Sequence, residues 1–551
     1  MAGLIAGLAI ARASVALELP AVFSDNMVLQ QELPLTVWGW ADDGERVTVK
    51  FRGQSVSTVA RNLKWSVTLK PLRPGGPDIL TVASRTRTLT FTNVLVGEVW
   101  LCSGQSNMQW PMQRAFNPAA DIATATNPLV RLFQVPRAKA TAPVVRLNAA
   151  WQISSPEAVQ NFSAVAYYFG RDLHAARRVP IGLIESDWGG SPVEVWMSRE
   201  ALEINEQHWR EVLLNGERNW KRYEETLTEH RLEKALAERA GQKFDKPEPR
   251  APWRPTELYN GMIAPLIPFA LRGAIWYQGE ANAGRAEQYR RLFPDLIRNW
   301  RRDWGHDFTF LAVQLAPWDK NRKRSLEEIT AQPEESDWAE LREAQLLATK
   351  LLPNVGLAVI TDVGDKDDIH PTRKQPVGAR LALAARALAY RERITWSGPI
   401  YRDMKIVGDK IILRFDHVGK GLEARDGPRP VSPSAVNRKF AGPTPKSFPT
   451  TPSRSAARRS PSPSPSATAG RISRSSTSGT RMACPLHRFA PTIFRSRPPA
   501  NTDAGTARPI RASAATDHSA IAHPDRRLPR CRRRALFLPC RAGWLIRVRL
   551  P

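Results

Sequence analysis

Ser106 and His370 are the two residues from which a covalent chemistry can be assembled. Ser106 stands in Gly104-Gln105-Ser106-Asn107-Met108, directly after an apolar run at 96–102. Such a run ending in small residues reads as a buried strand that stops in a turn before another helix. A serine at the carboxyl end of a central strand sits on the edge where open α/β sheets bind ligands. It also faces the amino end of the next helix, where negative charge on an alkoxide or a tetrahedral oxyanion is favoured. A hydroxyl is a weak nucleophile, so it needs a base within hydrogen-bond reach and a group that orients that base.

Of the nine histidines, His487, His518 and His523 lie in a low-complexity tail, and His208 and His230 lie in a charged insertion. His417 is on a terminal hairpin, while His174 and His306 sit by helix ends. His370 differs, because it follows a predicted strand at 355–360 and so emerges on the same sheet edge as Ser106. Asp367 and Asp368, three and two residues before it, are each able to hold the imidazole tautomer. Acyl transfer also needs donors aimed at the developing oxyanion. Gly190, in Trp188-Gly189-Gly190-Ser191, offers a backbone N–H; Gln278 and Asn282, in Gln278-Gly279-Glu280-Ala281-Asn282, offer side-chain amides. Each has an ordinary explanation as a loop residue, but their coincidence at the ends of four predicted strands does not.

The elements that must position these groups read as α/β. Residues 17–95 alternate apolar and polar, as in Val47, Val49 and Phe51 and again in Trp65, Val67 and Leu69, with turns at Asp42-Asp43-Gly44 and Pro74-Gly75-Gly76. They form a β-sandwich-like accessory domain. From about 96 to 395 strands alternate with helices, which implies a mostly parallel sheet sandwiched by helices. A charged, helical insertion at about 198–255 reads as a hairpin on the surface, its charges a solvated face. Residues 396–426 form a β-hairpin, the remnant of a C-terminal β region.

Composition excludes several functions. The net charge of +27 suggests a nucleic-acid binder at first sight, but residues 425–551 alone hold 25 Lys and Arg against 4 Asp and Glu. The first 424 residues carry 55 basic and 49 acidic groups, so no nucleic-acid partner is expected of the folded part. The tail, 427–551, is a low-complexity mixture of Arg, Pro, Ser and Ala that is expected to be disordered, and a frameshift near residue 427 explains its abrupt start. Cys102 is the one cysteine before the tail, so no disulfide framework is expected. No His-Glu-x-x-His, paired-cysteine or calcium-loop spacing occurs, and no phosphate-cradling glycine loop, so no metal or cofactor is expected. Residues 1–16 resemble the latter part of a secretory signal, which predicts a periplasmic or extracellular protein, and no other stretch is apolar enough to span a membrane.

Five ordered motifs carry a family resemblance. Gly104-Gln105-Ser106-Asn107-Met108, Trp188-Gly189-Gly190-Ser191, Leu258-Tyr259-Asn260-Gly261-Met262, Trp276-Tyr277-Gln278-Gly279-Glu280 and Asp368-Ile369-His370-Pro371 resemble the sialate O-acetylesterases, members of the SGNH hydrolase superfamily. Residues 19–30 are similar to the start of that family, and the likeness runs from about 17 to 426. The resemblance implies Ser106 as nucleophile, His370 as base, and Gly190 with the 278–282 block, Gln278 and Asn282 included, as the oxyanion hole. It implies removal of acetyl groups from sugar hydroxyls with no cofactor and a small-molecule or glycan substrate. An acetylxylan or pectin esterase and an inactive carbohydrate-binding relative are the alternatives. The superfamily's acid stands three before the histidine and matches Asp367, whereas that of the subfamily matches Asp368; both stay open, as does a dyad with a backbone acceptor. The family continues into further β structure beyond the equivalent of residue 427, where this chain does not.

Overall fold

The computed structural model describes residues 15–319, 324, 325, 328, 336–407 and 410–424, with the short segments 494–495 and 546–549. The leader-like residues 1–14 and nearly all of the tail therefore lie outside the described residues. Seven strands come first: β1 (Val28–Gln30), β2 (Leu35–Trp40), β3 (Arg46–Phe51), β4 (Gln54–Val59), β5 (Lys64–Leu69), β6 (Gly75–Ala83) and β7 (Thr88–Gly104). After the single helical turn α1 (Ser106–Gln109) come β8 (Asn127–Gln134), β9 (Trp151–Ser154), α2 (Ala164–Arg177), β10 (Ile181–Asp187) and the long helix α3 (Asn215–Arg239). Then follow β11 (Gly273–Tyr277), α4 (Ala286–Trp304), β12 (Thr309–Val313), α5 (Asp337–Leu351), β13 (Val355–Ala358) and α6 (Gln375–Leu388).

The sheet is mixed, in the order β13-β12-β11-β7-β10-β8-β9. Every neighbouring pair along that path is parallel except β8 with the edge strand β9. Strand β7 organises it. Its first half pairs antiparallel with β6 in the amino-terminal β region, and its second half is the centre of the parallel sheet. The boundary expected at 95/96 thus falls inside one continuous 17-residue strand. In the β region, β3 pairs with β4 and β6, while β2 and β5 make a separate two-stranded ladder.

Alternation along the central strands gives each face of the sheet its own core. Val99, Leu101, Trp276 and Phe310 point to one side, where they join Leu292, Leu296 and Trp300 of α4 and Leu341 and Ala344 of α5. Trp100, Cys102, Ile275 and Leu311 point to the other, against Phe169 and Leu173 of α2 and Leu381 and Ala385 of α6. Trp276 is held edge-on by Trp196 and Trp300, with ring centroids 6.1 and 5.6 Å away. Burial of one such side chain contributes about 1.5–3 kcal/mol, with roughly 0.5–1.5 kcal/mol more for each aromatic pair.

The insertion differs from the expected helical hairpin. After the short helix Arg199–Ile204 it is one long helix, α3, and residues 242–255 return without regular structure. Proline-rich sequence cannot supply the N–H groups of a second helix. The return segment instead lies along α3, with His230 Nε2 3.0 Å from the Lys246 carbonyl and the Arg254 guanidinium 3.2 Å from the Trp220 ring.

A second unit includes the hairpin of β14 (Ile400–Val407) and β15 (Lys410–Asp416), antiparallel as expected. Ile546–Arg549 pairs antiparallel with Lys410–Leu413, and Phe494–Arg495 with Glu423–Ala424, while the rest of the tail, expected to be disordered, lies outside the described residues. Among the described residues no helix is long and apolar enough to cross a membrane.

The functional end of the sheet is set by register. Gly104 lies level with Asp187 on one side and Tyr277 on the other, so three strands stop together. Gly104 has φ +146°, and a Cβ there would stand 2.2 Å from the Tyr277 carbonyl oxygen. Only glycine fits. Gly104→Ala is expected to destabilise the fold by about 3 kcal/mol or more, read by urea denaturation; a variant within about 1 kcal/mol of wild type would contradict this packing.

Candidate active site

Ser106 is the first residue of α1, half-buried at the carboxyl end of β7. His370 reaches it from the loop after β13, with Nε2 2.8 Å from Ser106 Oγ. With the ring proton on Nδ1, the serine hydroxyl donates to Nε2, the arrangement that general-base activation requires. Trp110 stacks on the imidazole with a centroid separation of 5.5 Å and an interplanar angle of 19°. The Arg114 guanidinium lies 4.2 Å from the Trp110 ring.

The two acids behind the histidine are not equivalent. Asp368 Oδ1 accepts the backbone N–H of His370 at 2.8 Å and lies 3.8 Å from His370 Nδ1. That distance favours the imidazolium by charge, though it is too long for a hydrogen bond. Both acids are exposed, and Asp367 pairs with Lys366 at 2.6 Å. The imidazole is held below its ordinary value, first by burial and then by the charges of Lys374 and Arg114, with Asp368 acting in the opposite direction. The base is therefore neutral at pH 7.

Gly190 is exposed, with φ +76°, in the loop that leaves β10. This loop touches the nucleophile's turn: a Cβ on Gly189 would lie 3.3 Å from Ser106 Cβ. Neither the Gly190 nor the Ser106 backbone N–H has an acceptor among the described residues. The Ser106 N–H is a donor that the residue-type reading missed, because every residue but proline carries one.

Gln278 and Asn282 are placed otherwise than expected. Gln278 is fully buried, and its Nε2 donates to the Ser191 carbonyl at 3.2 Å and to Asn282 Oδ1 at 2.7 Å, which uses both N–H groups. Asn282 Nδ2 donates to Glu194 Oε2 at 3.0 Å, and its Oδ1 also accepts the Val193 N–H at 2.9 Å. Their donors brace the 188–194 loop, since a buried amide must satisfy its own hydrogen bonds first.

Three other amides do the clamping around Ser106. Gln105 Oε1 accepts the N–H groups of Gly279 and Ala281, both at 3.2 Å. Asn107 Nδ2 donates to Glu280 Oε1 at 2.6 Å and to the Ile369 carbonyl at 3.0 Å. Gln109 Oε1 accepts the Gly189 N–H at 2.6 Å. The available signal was polar residues at 105, 107 and 109 alternating through a turn that is otherwise buried.

Below the turn, Glu185 and Asp187 are each 2 % exposed on β10. Burial and their mutual repulsion push Glu185 well up, and burial pushes Asp187 to about 7 against the pull of Arg137. Glu185 Oε2 accepts the Ser163 N–H at 3.0 Å, and Ser163 Oγ donates to the Met108 carbonyl at 2.6 Å. Among the described residues no group of His, Cys, Asp and Glu is arranged to hold a metal.

These geometries predict a pH profile. A base that works only when neutral loses activity as pH falls through its own value, so the acid limb of kcat/KM is expected below 6.5, the ordinary histidine value. Asp368→Asn is expected to lower kcat/KM about 10-fold or more and Asp367→Asn less than about 2-fold, in steady-state assays. The reverse order would assign the acid to Asp367.

Residues 242–387 match the family described as carbohydrate esterases, sialic acid-specific acetylesterases. The matched span contains His370, Glu280 and Lys374. The chain is 32 % identical over 443 residues to the sialate O-acetylesterase of Mus musculus, covering 72 % of this chain and 78 % of the relative. It is 30 % identical over 440 residues to that of Homo sapiens, covering 74 % and 77 %. A solved carbohydrate acetylesterase from Xanthomonas citri is 36 % identical with a TM-score of 0.60, over 73 % of this chain and 82 % of that one. With two thirds of such relatives covered at this identity, the chain belongs to the sialate O-acetylesterase family of carbohydrate esterases.

Proposed function

We propose that the chain is a carbohydrate O-acetylesterase that removes acetyl groups from O-acetylated sialic acids through a serine acyl-enzyme. The observation that carries this reading is the 2.8 Å approach of His370 Nε2 to Ser106 Oγ. The three strand ends beside it are what an SGNH-type sheet provides, with the β region of 17–95 as its accessory part.

The reaction runs in two steps. Ser106 Oγ attacks the acetyl carbonyl as its proton passes to His370 Nε2. The carbonyl oxygen becomes an oxyanion that the Ser106 and Gly190 N–H groups receive. Asp368 stabilises the imidazolium by charge. The imidazolium then gives its proton to the sugar oxygen as the acyl–oxygen bond breaks. Water repeats the sequence on the acyl-serine, with His370 as base, and acetate leaves.

A broader reading takes other acetylated sugars as substrate. It is supported by the Xanthomonas citri neighbour, which is described only as a carbohydrate acetylesterase. An inactive carbohydrate-binding role is disfavoured, because Ser106 and His370 are both present and within hydrogen-bond reach. Export follows from the leader-like residues 1–16 as part of the same proposal.

Acetate release from 9-O-acetylated sialic acid and from acetylated xylan decides between these readings. The proposal expects release from the sialic acid that falls at least about 10³-fold in Ser106→Ala at equal folded concentration. Release from xylan alone would replace the substrate, and serine-independent release would overturn the mechanism.

A further inference from the structure

Lys374 is 1 % exposed, stands four residues after His370, and takes no part in the chemistry above. Its Nζ lies 5.2 Å from the Tyr277 ring and 5.6 Å from the Trp110 ring. It donates to Asn107 Oδ1 at 2.5 Å. Burying an ammonium among rings is expensive, and methionine would pack there without that cost. A buried amine beside the reacting pair therefore has to be explained.

Asn107 explains it. In its protonated form, which prevails below about 7, Lys374 only donates, whereas the ionised Glu280 carboxylate and the Ile369 carbonyl only accept. With Lys374 on its oxygen and those two acceptors on its nitrogen, the Asn107 amide has one tolerable orientation. A flipped amide would set N–H against ammonium and oxygen against carboxylate. Asn107 adjoins Ser106, and Ile369 adjoins His370, so the amide spans the two reacting residues.

We propose that Lys374 is a positioning residue of the esterase, which orients Asn107 and thereby holds Ser106 and His370 at their reacting separation. The proposal rests on the Ser106–His370 reading above. It gives Lys374 two effects, one geometric and one electrostatic. The charged groups that bear on the imidazole are Lys374, Asp368 and Arg114, with Glu280 across the Asn107 amide. Lys374 disfavours the imidazolium, so removing its charge makes His370 easier to protonate. Burial brings Lys374 itself down to about 7, against the pull of Glu280 and Asp368.

A fluorophosphonate probe tests this on the full chain without assuming the natural ester. Ser106 Oγ bonds to phosphorus, fluoride leaves, and His370 takes the proton. Labelling rates are measured across pH for wild type, Lys374→Met and Lys374→Arg, with folding checked by thermal melting. Lys374→Met is expected to label about 10- to 100-fold more slowly, with its acid limb at higher pH. Lys374→Arg keeps the wild-type limb and recovers part of the rate.

A folded Lys374→Met variant that labels at the wild-type rate, or whose limb does not move, overturns the proposal. If that variant does not fold, Lys374→Arg decides: an unmoved limb with a reduced rate supports the proposal, and a limb displaced upward overturns it. Wild-type chain that does not label contradicts the Ser106–His370 reading and this proposal together. Labelling without acetate release contradicts only the substrate.

Discussion

The hydrogen bonds made by the carboxamides of one helical turn tie the candidate site together. Gln105, at the N-cap of α1, and Asn107 and Gln109 within it reach the 279–281 loop, the histidine loop and the 188–190 loop. An amide suits this task because it offers donors and an acceptor without the desolvation cost of a charge. Each bond contributes only about 0.5–1.5 kcal/mol net, but leaving one of these buried groups unpaired costs more. The turn therefore has one low-energy arrangement, and that arrangement puts His370 on Ser106.

The clamp depends on the sheet beneath it. Since β7, β10 and β11 stop at one level, their loops start within side-chain reach of each other. The close approach of Gly104 to the Tyr277 backbone lets the turn begin where it does. The buried acids Glu185 and Asp187 sit directly below, and Ser163 links Glu185 to the Met108 carbonyl. Burial thus drives both carboxyls under the turn toward the neutral, protonated form.

Much of this was legible in the sequence, and the illegible part has a physical reason. Short continuous apolar runs marked the central strands to within a few residues, because both faces of that sheet are buried. The strand-end argument put Ser106 and His370 on one edge, where they lie 2.8 Å apart. Residue type misled at Gln278 and Asn282, since an amide near a site reads as a free donor whether or not its N–H groups are already used. The role of Lys374 depends on contacts between loops far apart in the chain, which no local pattern encodes. The charged stretch from 198 was read as a helical hairpin, whereas it holds one long helix whose proline-rich return lies along it.

The most direct test of the account is to find where the acetyl group goes. The full chain is mixed with an activated acetyl ester, quenched in acid during turnover, digested, and its peptides are examined by mass spectrometry. The account predicts an acetyl group on the Ser106 hydroxyl, present in wild type and absent when His370 is replaced by alanine. Acetyl found on another residue, or turnover with no acylated peptide at any quench time, would contradict the Ser106–His370 mechanism at its centre.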